Sequence, residues 1–472
     1  MAGGGNPMWP LTPFAGRLAA ISETGQFTYA ELARESAQLA ALVPGRSLVF
    51  QLCTNTLGSL LGYAGFLNHR IVPALLSADV KPDVLTELST AYRPSFLWIP
   101  AQKMGQFAGK AIWESHGYML LKTGAASPDL YEDLGLLLTT SGSTGSPKLV
   151  RQSYDNIRSN AAAIVEYLGI TANERPITTL PMSYTYGLSI INSHLLQGAT
   201  LLLTDKGLMQ REFWEFFKQH GATSFGGVPY TYEILKKLRV FRMELPSLKT
   251  MTQAGGKLSP ELHREFAEFA HATGRRFIVM YGQTEATARM AYLPPEQAME
   301  KCGSMGLPIP GGRFELVDEV GARIEGPDVP GELVYHGPNV ALGYAERGED
   351  LAQGDEWGGV LATGDMARRD ADGFYYVVGR KKRFLKIFGN RVNLDETERM
   401  LKDRFDGLEC ACAGVDDRMT VYLAEAARAR EVLDFLAAKT GLNPIAFAAK
   451  SVPGIPKNEA GKTLYAELEK LG

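Results

Sequence analysis

The strongest constraint on this chain is a rhythm. Short β-rich runs alternate with helical stretches through the region before Pro294. The runs are Ser47–Cys53, Leu134–Thr140, Pro176–Leu180, Ala199–Thr204, Ala222–Phe225, Leu248–Gln253 and Phe277–Tyr281. Between most of them lie helical patterns such as Asp155–Leu168 and Pro260–Ala272. A helix between two strands carries the chain back to start the next strand in the same direction. The rhythm therefore predicts an α/β fold with mostly parallel sheets. Thr28-Tyr29-Ala30-Glu31 has the form of a capping box, opening a helix with Leu32, Leu39 and Val43 on one face and a stop at Pro44-Gly45. After Pro294, glycine and proline punctuate short strands, which predicts a small β-rich subdomain over about 296–378. A cationic run, Arg380-Lys381-Lys382-Arg383, then leads into a compact tail with α+β patterning. We expect a large N-terminal domain, 1–381, and a small C-terminal domain, 382–472.

Composition narrows the function. With 45% hydrophobic and 21% charged residues over 472 positions, the chain can bury a core and is not disordered. Lys plus Arg (49) nearly balance Asp plus Glu (52), so no basic field is available for nucleic acid. Cys53, Cys302, Cys410 and Cys412 lack zinc spacing, and Cys410-Ala411-Cys412 is too tight for an ordinary disulfide. Met1 to Pro10 has no basic segment before an apolar one, as a signal peptide would. The most apolar window, Leu57 to Leu76, is broken by Asn68-His69-Arg70, which argues against a membrane span. A soluble, cytoplasmic enzyme is the expectation. The 50 glycines exceed the usual share, and we expect the surplus where backbone approaches a ligand.

Thr139-Thr140-Ser141-Gly142-Ser143-Thr144-Gly145-Ser146-Pro147-Lys148 follows a buried-looking strand. Backbone N–H groups, hydroxyls and an ammonium suit phosphate, although such a run on its own also fits a surface turn. A Walker loop needs glycine where Pro147 stands, and proline has no N–H to donate, so P-loop chemistry is excluded. Further segments follow in order: Tyr281-Gly282-Gln283-Thr284-Glu285, Gly303-Ser304-Met305-Gly306-Leu307-Pro308, Gly331-Glu332-Leu333, and Gly337-Pro338 through Gly343-Tyr344. Then come Thr363-Gly364-Asp365, Asp372-Gly373, Gly379-Arg380, Gly389-Asn390-Arg391-Val392 with Glu396 and Glu398, Pro456-Lys457-Asn458 and Gly461-Lys462. This ordered set, from about Thr28 to Tyr465, resembles the adenylate-forming superfamily of acyl-CoA synthetases, free-standing adenylation domains and luciferases.

The resemblance implies ATP-dependent activation of a carboxylic acid as acyl-AMP, with Mg²⁺, followed by transfer to a thiol. A carboxylate is a poor electrophile, whereas the carbonyl of an acyl-AMP has a good leaving group; forming it gathers charge on phosphate oxygens, which requires fixed donors and cations. By resemblance, Thr140, Ser141, Gly142, Ser143, Thr144, Gly145 and Lys148 hold the β/γ-phosphates. Glu285 binds Mg²⁺, and Tyr281 stacks on adenine within the Gly282 to Thr284 motif, close to the backbone of Gly255 and Gly256. Asp365 accepts from the ribose hydroxyls, Arg380 donates near them, and Lys462 bridges carboxylate and α-phosphate. Lys462, Glu285 and Thr144 are the implied catalytic residues. Taken singly, Asp365 and Arg380 fit a surface turn and a surface cation, Glu285 a helix cap, and Lys462 a solvated lysine. The joint pattern favours adenylation.

The chain also departs from that family. Arg383 stands where an acid is usual, Tyr184 where many acyl-CoA synthetases carry histidine, and Tyr465 where arginine is frequent. Lys382 falls at the hinge position. The corresponding acyl pocket comprises Tyr184, Thr185, Tyr186, Ser189, Phe225, Met280, Ala288 and Arg289. Arg289 fits either an anchor for a second polar group or a structural ion pair behind the pocket. Thr185 stands where amino-acid-selecting relatives place Asp. A threonine hydroxyl cannot neutralise a buried ammonium, so the expected acid lacks an α-ammonium group. Coenzyme A is the leading acceptor. The alternatives are a phosphopantetheinyl carrier protein in trans and an amine, and the furthest alternative is a non-catalytic ATP-binding homologue.

Overall fold

The computed structural model describes residues 7–139, 148–388, 390–457 and 463–470. The chain divides into two compact units. Among the described residues, one comprises 7–139, 148–313 and 335–361; the other comprises 314–334, 362–388, 390–457 and 463–470.

The first unit is built on two large sheets. In one, the strands Leu48–Cys53, Val72–Ser77, Phe96–Pro100 and Leu134–Thr139 run parallel, with antiparallel strands added at both edges. Every residue of Leu48–Cys53 is buried, as expected of a parallel strand covered on both faces. The most apolar window, Leu57 to Leu76, forms the core helix Leu57–Asn68, buried almost all round, and runs into the buried strand Val72–Ser77. Its small residues explain how it fits: Trp98 Nε1 donates to the Gly58 carbonyl at 2.8 Å, and a Cβ on Gly62 would overlap the Trp98 ring. Among the described residues, no helix is long and apolar enough to cross a membrane.

The second sheet contains the parallel strands Pro176–Ile177, Leu201–Leu203, Ser224–Gly227, Thr250–Gln253 and Arg276–Tyr281. Local chemistry starts its helices. Thr28 Oγ1 accepts from Glu31 N at 3.1 Å, and Glu31 returns a carboxylate to Thr28 N at 2.8 Å, opening the helix Tyr29–Ala41. Ser153 and Asn156 make the same reciprocal pair at the head of Tyr154–Leu168, which stops at left-handed Gly169.

In the second unit, a two-stranded sheet (Phe384–Ile387, Asn390–Asn393) and a three-stranded sheet (Cys410–Val415, Arg418–Leu423, Phe447–Ser451) pack with the helices Leu394–Arg404 and Ala429–Thr440. Leu385, Ile387, Leu401, Cys412, Val421 and Leu436 lie in one core. All four cysteines are free. Burial pushes the Cys53 thiol up to about 12 and Cys410 to about 11, so both are protonated and act as packing groups.

Candidate active site

Three neighbouring parallel strands of the first unit end side by side, and their exits carry the motif residues. Gly227 pairs with Gln253, and Gln253 with Val279, so Val228, Gly255-Gly256 and Tyr281–Glu285 all leave the sheet at its carboxyl edge. That edge is where open parallel sheets bind ligands. Gly255 has a φ of +84°, and a Cβ there would lie 2.6 Å from the Tyr184 hydroxyl, so the turn accepts only glycine without distortion. Gly282 is required for a different reason: its Cβ would overlap the carbonyl oxygen of Ala288, where the following loop folds back.

That loop is held from outside. Asn339 Nδ2 donates to the carbonyls of Ala286 (2.9 Å) and Arg289 (3.0 Å), and Tyr335 donates to Asn339 Oδ1 at 2.8 Å. Thr287, at an unusual φ of 64°, donates its hydroxyl to the Asn339 carbonyl at 2.7 Å. Ala341 N donates to the Glu285 carbonyl at 2.9 Å, and Gln152 Nε2 to that of Thr284 at 3.1 Å. The backbone from Thr284 to Arg289 is thereby tied down along its length. Glu285 Oε1 accepts from the Tyr344 hydroxyl at 2.9 Å, and the Lys148 ammonium sits 5.3 Å from the Tyr344 ring centroid while pairing with Glu346 at 3.2 Å. Burial, with Glu285 adding to it, raises the Tyr344 phenol, so it remains a donor. Lys148, Tyr344 and Glu285 thus form one charged cluster. Gln283 Nε2 donates to the Tyr281 hydroxyl at 3.1 Å.

The residues expected at the acyl chain also converge. Tyr184 caps the helix Thr185–Leu196, and Thr185 donates its hydroxyl to the Thr287 carbonyl. Tyr186 is buried, donates to Thr252 O at 2.8 Å and accepts from Gly227 N at 3.3 Å. Ser189 turns its hydroxyl back to Tyr186 O at 2.7 Å. Phe225, Met280 and Ala288 are buried, and the Met280 sulfur accepts from Tyr167 at 3.0 Å. Arg289 is 3% exposed and lies over the Tyr186 ring, 3.8 Å from its centroid. Burial pushes the Tyr184 phenol up to about 12, despite the Arg289 charge pulling it down. Among the described residues no carboxylate is paired with Arg289, and its Nε has no hydrogen-bond partner.

In the second unit, Asp365 and Arg380 face each other across the strands Val360–Arg369 and Tyr375–Arg380, with Arg380 Nε 3.5 Å from the largely buried Asp365 carboxylate. Lys382 lies in the tight turn Lys381–Arg383 between two strands. Arg383 and Tyr465, the two departures, meet. The guanidinium lies 3.7 Å from the Tyr465 ring centroid, binds Asp395 at 2.8 Å and the Cys412 carbonyl at 2.7 Å, and pairs with Glu398. Tyr465 donates to the other Glu398 oxygen at 3.1 Å. Thr140, Ser141, Gly142, Ser143, Thr144, Gly145 and Lys462 lie outside the described residues.

Residues 11–345 match the AMP-binding enzyme family. The chain belongs to that family. Among curated relatives, the AMP-binding enzyme is 30% identical over 291 residues to an oxalate–CoA ligase of Arabidopsis thaliana, covering 61% of this chain and 55% of that one. It is 27% identical over 363 residues to a 2-succinylbenzoate–CoA ligase of Bacillus velezensis, covering 74% and 72%. The chain thus spans about half the length of the first of these relatives. Its fold is that of o-succinylbenzoate CoA synthetase from Bacillus subtilis, solved with the acyl-adenylate intermediate: TM-score 0.79, 23% identity, 98% of each chain covered. The ATP-bound MatB of Rhodopseudomonas palustris has the same TM-score at 21% identity, covering 98% and 99%.

Within this AMP-binding enzyme, motif reasoning reached the residues at the strand ends but missed their supports. Asn339 sits in the quoted stretch after Gly337-Pro338, yet its role as the clamp of the Thr284–Arg289 backbone depends on contacts some fifty positions away in sequence. Asn160, which donates to the Arg289 carbonyl at 2.9 Å, carries no local signal at all beyond being a polar residue on an apolar helix face.

Proposed function

We propose that the protein is an AMP-forming acid–thiol ligase: it activates a carboxylic acid lacking an α-ammonium group as acyl-AMP and transfers the acyl group to coenzyme A. The observation that carries this reading is the Lys148–Tyr344–Glu285 cluster at the carboxyl edge of a parallel sheet, in a member of the AMP-binding family. The curated relatives named above are CoA ligases by name, and the solved relatives hold an acyl-adenylate or ATP.

In the first step a carboxylate oxygen attacks the α-phosphorus, and the bond to the β-phosphate oxygen breaks with its electrons leaving on pyrophosphate. Negative charge builds on the phosphate oxygens, so Lys148, the Thr140–Gly145 loop and Lys462 are the donors this step calls on. In the second, the thiolate attacks the acyl carbon, AMP departs, and the thiol proton goes to solvent. The donor set suits Mg²⁺, which is commonly held by one or two carboxylates plus substrate phosphates. Glu285, one of whose carboxylate oxygens accepts from Tyr344, would hold the ion. When bound, Mg²⁺ supplies charge neutralisation at the phosphates. Asp365 would accept from the ribose hydroxyls with Arg380 nearby. Residues 1–381 would form the adenylation domain and 382–472 a mobile C-terminal domain hinged at Lys382.

Thr185 supports the exclusion of amino acids. Its hydroxyl proton is already committed to the Thr287 carbonyl, and nothing at that position supplies a countercharge. Pyrophosphate exchange into ATP, dependent on a carboxylic acid, tests the proposal: AMP and pyrophosphate should be the products, and coenzyme A should outpace a phosphopantetheinylated carrier protein with a free thiol. ADP release, or exchange driven by an α-amino acid, would refute it.

A further inference from the structure

We infer that Arg289 anchors a second, distal carboxylate, so that the acid activated here is a compact dicarboxylic acid; this rests on the acid-activating reading above. Arg289 is 3% exposed, and its Nε has no partner among the described residues. It is not a surface arginine folded inward by chance, because its backbone is gripped on both sides. Asn160 Oδ1 accepts from Arg289 N at 3.3 Å, and its carbonyl accepts from both Asn160 (2.9 Å) and Asn339 (3.0 Å). Arg289 lines a small cavity of about 30 Å³ together with Ser189, Ser193, Phe225, Gly226 and Thr252. That is room for one small polar group.

Among the described residues no carboxylate neutralises this cation. The neighbouring phenols of Tyr167, Tyr184 and Tyr186 are pushed up by burial and stay protonated; they offer ring faces and dipoles, not negative charge. Glu174 lines the same cavity but is paired with Lys249 at 3.8 Å. Arg276 donates to Leu168 O at 2.7 Å and Thr250 Oγ1 at 2.9 Å, and His194 is committed through Nδ1 to Ile190 O at 2.7 Å. A buried guanidinium without a carboxylate is costly, and a planar fork of N–H groups matches a carboxylate in two parallel hydrogen bonds. A hydroxyl on the substrate would satisfy the orphaned donor but leave the charge uncompensated. The substrate's own second carboxylate completes the pair, and the reacting carboxylate remains free at the nucleotide side.

The test compares dicarboxylic acids of three to six carbons with the monocarboxylic acids of equal length, in pyrophosphate exchange and in thermal shift without nucleotide. The enzymes compared are the wild type, Arg289→Met and Arg289→Lys. The wild type should favour one dicarboxylate. Arg289→Met should lose at least about thirtyfold in its preference for that dicarboxylate over the monocarboxylate of equal length, the loss for removing one partner of a buried charge pair. Arg289→Lys should retain part of the preference. Equal use of the monocarboxylate by the wild type overturns the inference and leaves acid activation standing. No exchange with any acid, but a dicarboxylate-dependent rise in Tm that Arg289→Met abolishes, removes the activation reading and keeps the anchor. Arg289→Met losing both classes of acid in step marks a purely structural residue and overturns the inference.

Discussion

His194 shows what burial does to a single side chain here. It is 4% exposed, and its Nδ1 lies 2.7 Å from the Ile190 carbonyl, an acceptor only, so Nδ1 carries the proton and donates. Burial lowers its pKa to about 4, although the Ile190 carbonyl and Glu174 pull the other way. In the unfolded chain the ring titrates near the ordinary value of about 6.5. Between these values the unfolded state binds more protons, so stability is full above pH 6.5 and falls as pH drops towards 4. The loss should be on the order of 2 kcal/mol by pH 5. Urea midpoints at pH 7 and pH 5 check this: His194→Gln should show a smaller drop than the parent, and equal drops would refute it. Such residues also mark the limit of sequence reading at this scale. Gly255 and Gly282 were legible because a motif glycine implies a close approach, and the structure shows the Tyr184 hydroxyl and the Ala288 carbonyl in those places. That no carboxylate among the described residues faces Arg289 was not legible, because it depends on distant strands and helices, not on its neighbours in sequence.

Elements were read best where their signals are local. The capping box at Thr28 and the strands Thr250–Gln253 and Arg276–Tyr281 lie within a residue or two of their expected bounds, since caps and β-rich runs act over a few positions. The run expected at Ala222–Phe225 is displaced to Ser224–Gly227, because pairing with Thr250–Gln253 carries two glycines into the strand. The antiparallel edge pair Lys110–Ser115 and Tyr118–Lys122 gave no signal, its exposed face lacking apolar alternation. In the second unit, the Arg383 cluster joins the turn within the cationic run, the helix Leu394–Arg404, the strand Cys410–Val415 and the helix Tyr465–Lys470. Glu398 also accepts from Cys412 N at 2.7 Å; burial raises its pKa while Arg383 opposes the rise. Removing the cation leaves that carboxylate buried and uncompensated. Arg383→Met should therefore cost about 3 kcal/mol in chemical denaturation. Adding Glu398→Gln should recover part of it, because the stranded charge is then gone. A double variant as unstable as the sum of the two single ones would show that the two groups do not act as a pair.

At the scale of the whole molecule, the proposed function asks one protein to favour two reactions with opposite needs. Acyl-AMP formation requires cations and donors gathered on the phosphates, whereas thiol attack requires an open approach to the acyl carbon and an AMP that can leave. Interactions that serve only one transition state accelerate only that step. The proposed division of labour assigns Lys462, three positions before Tyr465 in the small C-terminal domain, to the first reaction, and the stretch around Gly389 to the second. A domain motion of this kind exchanges one set of groups for another without rebuilding the large domain. The prediction follows from the separation. Lys462→Ala should lose acyl-AMP formation from acid and ATP by at least about a hundredfold, as loss of a donor to a developing oxyanion commonly does. The same variant, supplied with synthetic acyl-AMP and coenzyme A, should retain most of its rate of thioester formation. Rapid-quench measurement of each half-reaction separates the two, and a change in the thiol-dependent step as large as in the adenylating step would place Lys462 in both arrangements and end the division proposed here. If instead only the overall turnover falls while both isolated halves are intact, the lysine acts on the exchange between arrangements, and the assignment to a single step fails equally.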